Sequence, residues 1–316
     1  MNKHTIGVNL HPTEQLRNFK TFEESLERIL ANGLHAVELP IHGLELIRNG
    51  QLDGVRLSKY TKIIEQYPLH ITTHAPYDLN VFREQDPDVE IDVLEASVDI
   101  SGALGASVMT YHVGRFISEE QFLYPHEWAE WSIDEREHAM EMERELLQQI
   151  GDRAMGLGLM IGMENIRPFP DCLTYCYATD LDDLYEQVKM INHPSVGITL
   201  DVGHLHLSAN LFDTNAIAQV ERSARKIIHV HVHDNFGKPC YSVEKNQFSL
   251  LPFGRGDLHM PIGMGSVPMN PIAELILPHY DGIWLHEIRE RYAQEWPTLI
   301  ERTNAFLKLS NVLSVR

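Results

Sequence analysis

Residues 197–210 read GITLDVGHLHLSAN, and this stretch decides the fold. A short apolar run with Ile198 and Leu200 ends at an ionisable residue, Asp201, and His204 follows three residues later. An apolar run of this length bounded by glycine is typical of a buried strand in a parallel sheet. An aspartate and a histidine at the tip of such a strand need a partner, because burial removes their hydration.

Seven further apolar runs of similar length occur along the chain, separated by longer amphipathic segments. The predicted strands are 5–9, 35–40, 69–76, 106–114, 159–165, 196–203, 227–234 and 281–287. Among the predicted helices, 132–156 opens with Ser132 and Glu135 as a capping box. Eight alternations of strand and helix predict an α/β fold, the (β/α)8 TIM barrel. The alternative, an open doubly wound sheet, usually has a glycine-rich turn after its first strand, where this chain has VNLHPTEQ.

We expect a single domain over residues 1–316, because no linker or internal repeat divides the chain. Two stretches, at about 115–131 and 235–256, exceed ordinary loop lengths. Both follow predicted strands, so we expect both insertions to lie over the C-terminal mouth of the barrel.

The composition restricts the partners that we expect. The chain has 26 Lys and Arg against 45 Asp and Glu, and its formal net charge of −19 makes a nucleic-acid partner unlikely on electrostatic grounds. Three cysteines argue against a disulfide framework and for a reducing compartment. With no apolar run of membrane-spanning length and no signal-peptide core, we expect a cytoplasmic protein without a membrane partner.

Ionisable residues collect where the predicted strands end, which is where TIM barrels place their functional groups. Nine of them form the predicted metal-ligand set: His74, His112, Glu164, Asp201, His204, His231, Asp257, His259 and Glu287. Carboxylates gathered in one mouth repel each other and lose hydration, and a divalent cation removes both problems. A mixed nitrogen and oxygen set favours zinc first, with manganese, iron or cobalt as alternatives, over calcium.

At these residues the chain resembles the xylose-isomerase-like TIM-barrel superfamily, also described as AP endonuclease family 2. The resemblance extends from THAPY at 73–77 to LHEIRE at 285–290. This superfamily contains sugar isomerases and epimerases, sugar phosphate isomerase/epimerase-like proteins, some dehydratases and endonuclease IV. It therefore implies a TIM barrel with a metal centre, and it offers two patterns for that centre.

The first pattern is similar to that of the tagatose-epimerase-like enzymes, in which Glu, Asp, His and Glu hold one metal. Glu164, Asp201, His231 and Glu287 match this order, and the resemblance implies that the two glutamates are catalytic and exchange a proton beside a carbonyl. His231 is preferred to His229 and His233, which share its parity on the strand, because HVHD matches the family's H-x-x-D. The chain departs from this pattern at 257–259, where the epimerases usually carry an arginine.

The second pattern is similar to that of endonuclease IV, which holds three zinc ions. The resemblance implies a first ion at His74, His112 and Glu164, with Glu164 bridging to a second. The second ion would be completed by Asp201, His231 and Glu287, and the third held by His204, Asp257 and His259. The pattern thus raises the expected number of ions to between one and three. It implies activation of hydroxide and hydrolysis of a phosphoester, although the acidic chain and the two mouth insertions do not suit a DNA duplex.

Six further residues are candidate substrate contacts: Asn9, Tyr77, Arg115, Asn165, Arg167 and Arg289. The arginines follow strands and could bind a phosphate or carboxylate, but for each of them pairing with a nearby acid is the preferred explanation. The two asparagines suit substrate hydroxyls or strand-end caps, and Tyr77 agrees with the endonuclease IV motif. We expect His11 and His42 to be structural.

Three hypotheses for function follow, in order of preference. The first is metal-dependent isomerisation or epimerisation of a small sugar, sugar acid or sugar phosphate. The second is hydrolysis of a phosphoester by a multinuclear zinc centre, and the third is a non-catalytic sugar-binding barrel. A homo-oligomer is compatible with each of them.

Overall fold

Eight parallel strands close into a barrel in the computed structural model, which describes residues 4–128, 130–244 and 247–313. The barrel strands are β1 Thr5–Asn9, β2 Ala36–Pro40, β3 His70–His74, β4 Val108–His112, β5 Met160–Glu164, β6 Val196–Asp201, β7 Ile227–Val232 and β8 Ile283–His286. Each strand pairs with the next along the chain, and β1 pairs with β8. The predicted TIM barrel is therefore confirmed, with all eight strands where the hydrophobic runs placed them.

Helices surround the barrel and cover the outward faces of its strands. They are α1 Phe19–Ala31, α2 Gly54–Ile64, α3 Pro87–Ala103, α4 Ile133–Gly156, α5 Leu181–Ile191, α6 Val202–Phe212, α7 Ala216–Ser223, α8 Met269–Ile276 and α9 Trp296–Leu313. Short 3-10 helices lie at Glu14–Arg17, Ile41–Leu44, Glu119–Leu123, Pro125–Glu127, Tyr177–Thr179, Ala224–Lys226, Gln247–Phe253 and Glu290–Glu295, and Ile47–Arg48 pairs with Gln51–Leu52 as a small hairpin. Within the described ranges, no helix is long and apolar enough to cross a bilayer.

Two helix starts show how the sequence defines the local structure. At α4, the Ser132 side chain accepts a hydrogen bond from the Glu135 N–H and the Glu135 carboxylate accepts one from the Ser132 N–H, so the predicted capping box is present. At α6, the helix begins immediately after β6, and Asp201 Oδ1 accepts the His204 N–H at 2.7 Å. One oxygen of Asp201 is therefore a helix N-cap, which satisfies an otherwise unpaired backbone donor.

The strand register brings the ionisable residues to one rim. His112 lies beside Glu164 across the β4–β5 pair, and Asp201 lies beside His231 across the β6–β7 pair. Because all eight strands are parallel, their carboxyl ends meet at the same end of the barrel. This rim is the C-terminal mouth predicted from the sequence.

Both insertions have packed side chains where the structure describes them. In the first, the Phe122 ring packs against Phe169 and Tyr175, with ring centroids 5.1 and 5.5 Å apart. In the second, the Ser242 N–H and hydroxyl donate to Asp171 at 2.9 and 2.7 Å. Each insertion is thus tied to the segment that follows β5. The extent of the domain over residues 1–316 stays a prediction.

Candidate metal centre

The nine predicted ligands lie together at the C-terminal rim, where their nitrogen and oxygen atoms form three neighbouring groups. Cluster A is His74, His112 and Glu164; cluster B is Glu164, Asp201, His231 and Glu287; cluster C is His204, His233, Asp257 and His259. Within each cluster the possible ligand atoms are within 4.8 Å of one another. The structure therefore assembles the predicted set and adds His233 to it, while the metal-binding role of these residues stays a prediction.

Glu164 belongs to two clusters because its two oxygens face different groups. Oε2 lies 3.3 Å from His74 Nε2 and 3.1 Å from His112 Nε2. Oε1 lies 3.0 Å from His231 Nδ1. A fully buried carboxylate divided in this way has the arrangement of a bridging ligand.

Most histidines of the centre are oriented by a hydrogen bond on the ring nitrogen that faces away from the carboxylates. The contacts are His74 Nδ1 to Ala75 O at 2.8 Å, His112 Nδ1 to Tyr77 O at 3.2 Å, His204 Nδ1 to Asn165 O at 2.9 Å and His259 Nδ1 to Glu287 O at 2.8 Å. A backbone carbonyl only accepts, so each Nδ1 carries the proton. Each Nε2 is therefore the nitrogen directed at the cluster, where it could give its lone pair to a metal once any proton on it has left.

His231 is turned the other way round. Its Nε2 lies 3.2 Å from the buried Glu38 carboxylate, and its Nδ1 faces Glu164 and, at 3.4 Å, Glu287. Below it, His229 Nε2 lies 3.4 Å from the same Glu38 oxygen. Of the three histidines with the same parity, His231 is thus the one in cluster B, while His229 lies deeper and His233 lies in cluster C.

The loop that carries Asp257 and His259 is held in place by Asp234. This buried carboxylate accepts the backbone N–H groups of Gly263, Gly265 and Val267 at 2.7–3.0 Å. Asp234 also pairs its own backbone with Met260. The aspartate of the HVHD motif is therefore a structural anchor for the loop.

The electrostatics of the metal-free centre are dominated by burial and by ion pairing. Burial opposes ionisation of Glu164, but His231, His112 and His74 hold its pKa well below the usual range. Burial also opposes protonation of His204, yet Asp201 and Asp257 raise its pKa to about 10. Protons on imidazoles thus neutralise the buried carboxylates in the absence of a cation.

The residues present fit a divalent cation. Asp257 Oδ1 is buried and has no hydrogen-bond partner among the described residues. Four buried carboxylates, Glu164, Asp201, Asp257 and Glu287, share one small region with the six histidines of clusters A, B and C. A mixed set of imidazole and carboxylate groups suits zinc, manganese, iron or cobalt.

A cavity of about 360 Å³ opens above the clusters. Its lining residues are Asn9, His11, His42, Pro76, Tyr77, Asp78, His112, Glu119, Glu164, Arg167, His204, His259, Glu287 and Arg289. Both predicted catalytic glutamates reach this space, as do Asn9, Tyr77, Arg167 and Arg289. The volume suits a small molecule.

The other two candidate substrate contacts are occupied by the protein backbone. The Arg115 guanidinium is buried and donates to the carbonyls of Tyr77 and Leu79, both at 3.0 Å. The Asn165 amide exchanges two hydrogen bonds with the backbone of Asp201, at 2.8 and 2.9 Å. Arg115 and Asn165 do not line the cavity, and these hydrogen bonds engage both ends of the Asn165 amide and two nitrogens of the Arg115 guanidinium. Their role as substrate contacts stays a prediction.

The two arginines on the cavity wall differ. Arg167 lies 3.4 Å from both Glu119 and Asp257, which agrees with the ion-pairing alternative. The side chain of Arg289 has no hydrogen bond or ion pair within the described ranges, although it lies at the cavity. Arg289 is thus the cavity cation with its donors available.

Sequence reasoning missed several residues of the site. His11 and His42 were expected to be structural, but both line the cavity, and the His11 ring is tied to the Ile288 carbonyl at 2.7 Å. Each follows a barrel strand by two residues, and this position was the available signal. His233 was seen only as an alternative to His231, because parity alone does not show how deep each side chain lies.

The comparisons with known proteins agree with this architecture. The sequence model described as "Xylose isomerase-like TIM barrel" matches residues 26–309. The uncharacterized protein MJ1311 of Methanocaldococcus jannaschii is 23% identical over 268 residues, which cover 84% of this chain and 78% of that protein.

Two solved structures are similar over almost their whole length. A D-tagatose 3-epimerase-like protein superposes with a TM-score of 0.70 at 22% identity, covering 98% of this chain and 99% of that one. The 3-keto-D-glucoside 4-epimerase YcjR from E. coli gives 0.66 at 16% identity, covering 96% and 99%. Identities this low establish the fold, and the family assignment comes from the match to the sequence model. The chain belongs to the xylose isomerase-like TIM barrel family.

Proposed function

We propose that the chain is a metal-dependent isomerase or epimerase that acts on a small sugar or sugar derivative. One observation carries the proposal: the Glu164 and Glu287 carboxylates both line the cavity and flank His231 Nδ1, at 3.0 and 3.4 Å. Two carboxylates beside one small cavity are what a proton transfer between neighbouring positions of a substrate needs. The epimerase names of the two similar structures support the same reaction class.

In this proposal the chain's own residues hold and move the proton. Burial disfavours the charge on Glu287, but His231 and His259 keep its pKa well below the usual range, so its carboxylate is ionised and has a free site for a proton. Glu164 is the partner that takes up a proton from water at the cavity and delivers it to the substrate, while Glu287 releases the proton that it accepted to water, so that both carboxylates are restored. A divalent cation, when bound in cluster B, supplies Lewis-acid polarisation of the substrate oxygens.

The test is exchange of substrate hydrogen with solvent. The metal-loaded protein is incubated in D2O with a panel of aldoses, ketoses, sugar acids and sugar phosphates, and deuterium beside the carbonyl is measured by NMR. We expect Glu164→Gln and Glu287→Gln each to lower the exchange rate by at least about 100-fold, since an amide cannot carry the proton. Glu137→Gln, at an exposed position on α4, is the matched control. Wild-type exchange in both site variants would contradict the proposed roles.

We further propose that the substrate carries an anionic group, a phosphate or a carboxylate, that binds Arg289. The support is the unpaired guanidinium at the cavity, whose planar fork matches either anion. Arg289→Gln should raise KM for an anionic substrate by about 10-fold or more while leaving a neutral analogue unaffected. Arg291→Gln, at the nearby exposed position, should change neither value. Equal KM changes for the charged and neutral substrates would contradict the assignment.

A second candidate function is hydrolysis of a small phosphoester, and the division of Glu164 between clusters A and B favours it. A carboxylate that bridges two ions is held on both oxygens and is a poorer proton carrier. Metal analysis together with product analysis separates the candidates: ions in both clusters A and B with phosphate release from the panel would favour hydrolysis. A single ion across clusters A and B, with deuterium exchange and no phosphate release, would favour the isomerase.

A further inference from the structure

His233 is a buried side chain to which neither metal pattern gives a role. It lies one residue beyond β7, and its ring stacks on that of His259, with centroids 4.0 Å apart and planes 22° apart. The ring also lies close to Gly203, where an added Cβ would be 2.0 Å from His233 Cε1. The glycine before His204 therefore makes room for this ring, and the packing fixes its orientation.

The fixed ring points one nitrogen at two carboxylates. His233 Nε2 lies 2.9 Å from Asp201 Oδ2 and 3.7 Å from Asp257 Oδ1. Asp257 Oδ1 is the buried oxygen without a hydrogen-bond partner among the described residues. His233 thus faces a buried carboxylate atom of the centre that accepts no hydrogen bond from the described residues.

The spacing of cluster C suits one small cation with four protein ligands. His204 Nε2 and His259 Nε2 lie 3.2 and 2.8 Å from Asp257 Oδ2. With metal–ligand bonds of about 2.0–2.1 Å, two ligands of a tetrahedral zinc site are roughly 3.3 Å apart. The two distances to Oδ2 lie near this value, and His233 Nε2 lies 3.7 Å from the other oxygen, Oδ1. One ligand atom from each of the four residues lies within 4.8 Å of the others, which is within reach of a single ion.

We propose that His233 is the fourth ligand of a closed tetrahedral site with His204, Asp257 and His259. The set implied by the endonuclease IV pattern has only three of these residues and leaves a position open. Four protein ligands leave no position for water or substrate, so the ion in cluster C is structural. It ties the start of α6 to the end of β7 and to the loop after it. The inference rests on the metal centre of the proposed function, but not on the reaction assigned to it.

The competing role for His233 is hydrogen bonding to Asp201, a ligand of cluster B. In that case Nε2 carries the proton and orients the carboxylate from outside the ligand shell. Loss of such an outer contact typically weakens metal binding by about 10–100-fold, whereas loss of a direct ligand should cost more. A glutamine at position 233 separates the two roles, because its amide can donate to Asp201 but is a poor zinc ligand.

The experiment uses the full-length protein, stripped of metal and titrated with Zn2+ against a chromophoric chelator, and separately with Co2+. We expect the wild type to hold one tight zinc equivalent and to show the intense visible absorption of four-coordinate Co2+. In His233→Gln, zinc affinity at that equivalent should fall by more than about 100-fold and the intense absorption should disappear. His206→Gln, on the same helix as His204 but outside the cluster, is the matched control. Thermal melting of the metal-free variants checks that each one folds.

The outcomes are distinct. A His233→Gln variant that keeps the intense Co2+ absorption, or loses less than about 100-fold in zinc affinity, overturns the ligand role and assigns His233 to Asp201. A wild-type protein that binds no metal overturns this inference and the metal dependence of the proposed function together. If zinc still binds at cluster C but Glu164→Gln and Glu287→Gln exchange substrate hydrogen with solvent at the wild-type rate, only the proposed reaction is refuted. The role of His233 as a ligand then stands.

Discussion

At the residue scale, Asp201 at the end of β6 has two roles, one for each of its carboxylate oxygens. Its Oδ1 caps α6 through the His204 N–H, and its Oδ2 faces the His233 ring. A helix cap alone is met equally well by Ser or Asn. The second oxygen has no role in the cap, and Asp201 belongs to cluster B, which we propose holds a cation; the proposal would account for a charged residue at the tip of a hydrophobic strand.

Glu38 gives the clearest prediction for a residue outside the ligand set. Its buried carboxylate faces His231 Nε2, which leaves Nδ1 for cluster B. Glu38→Gln keeps the shape but removes the charge, so His231 becomes a less basic ligand. We expect metal affinity to fall by about 10–100-fold, measured by chelator competition, with little change in the fold by circular dichroism.

The control for that substitution is Glu137→Gln, which removes a carboxylate from an exposed helix face. It should leave metal affinity within about twofold of wild type, as surface charges contribute little. If Glu38→Gln also binds metal with unchanged affinity, the orientation of His231 does not depend on Glu38.

At the scale of elements, the site depends on a loop that has no regular structure of its own. The segment 257–267 carries two cluster C residues and is pinned to the end of β7 by Asp234. The aspartate of H-x-x-D and the two glycines at 263 and 265 therefore act together. The Asp234 carboxylate needs backbone N–H groups that point at it, and the glycines allow the loop to present them.

Replacing the anchor should loosen the loop while the barrel persists. Asp234→Ala leaves the N–H groups of Gly263, Gly265 and Val267 without their acceptor, at a cost of about 3 kcal/mol. We expect hydrogen exchange at these amides to accelerate by more than about 100-fold, with the barrel strands still protected. Asp281→Ala, at an exposed position before β8, should change neither region. Unchanged protection of the loop amides would show that other contacts hold it.

At the scale of the whole molecule, four buried carboxylates from different strands and loops meet at one rim. In the metal-free protein, protonated histidines offset their charge: the pKa of His204 is about 10, and those of His74 and His233 are also raised, by carboxylates that outweigh burial. A histidine whose pKa is raised by folding stabilises the fold fully below its ordinary pKa of 6.5. That contribution is lost as the pH rises through the folded pKa, which for His204 is about 10.

Removal of metal should therefore lower the melting temperature, and more so at alkaline pH. With metal in large excess over its dissociation constant, we expect chelation to lower Tm by about 10 °C near neutral pH. The difference in Tm between metal-loaded and metal-free protein should widen between pH 7 and 9. In this range the metal-free protein loses the histidine protons that offset its carboxylate charges, whereas the metal-loaded protein does not depend on them. Differential scanning calorimetry with and without chelator measures this, and a gap that is constant or narrows with pH would contradict it.

The sequence by itself determined the barrel. Eight short apolar runs separated by amphipathic helices allow few arrangements, since parallel strands need helical crossovers and a hydrophobic cover on their outer face. The identity of the nine clustered residues also followed, because residues that end parallel strands must share one rim. The order of residue types along the chain thus indicates both the barrel fold and the residues that meet at its rim.

Tertiary structure alone decided which atoms face each other. It divided the two oxygens of Glu164 between clusters and assigned His229, His231 and His233 to three different depths. It engaged Arg115 and Asn165 with the backbone and left Arg289 at the cavity. Strand parity gives the face of a side chain, whereas depth, ring orientation and the competition for hydrogen bonds depend on packing between segments far apart in sequence. No local sequence pattern predicts the depth, the ring orientation or the hydrogen-bond partner of a side chain, because the closed barrel brings the neighbours that decide them from distant parts of the chain.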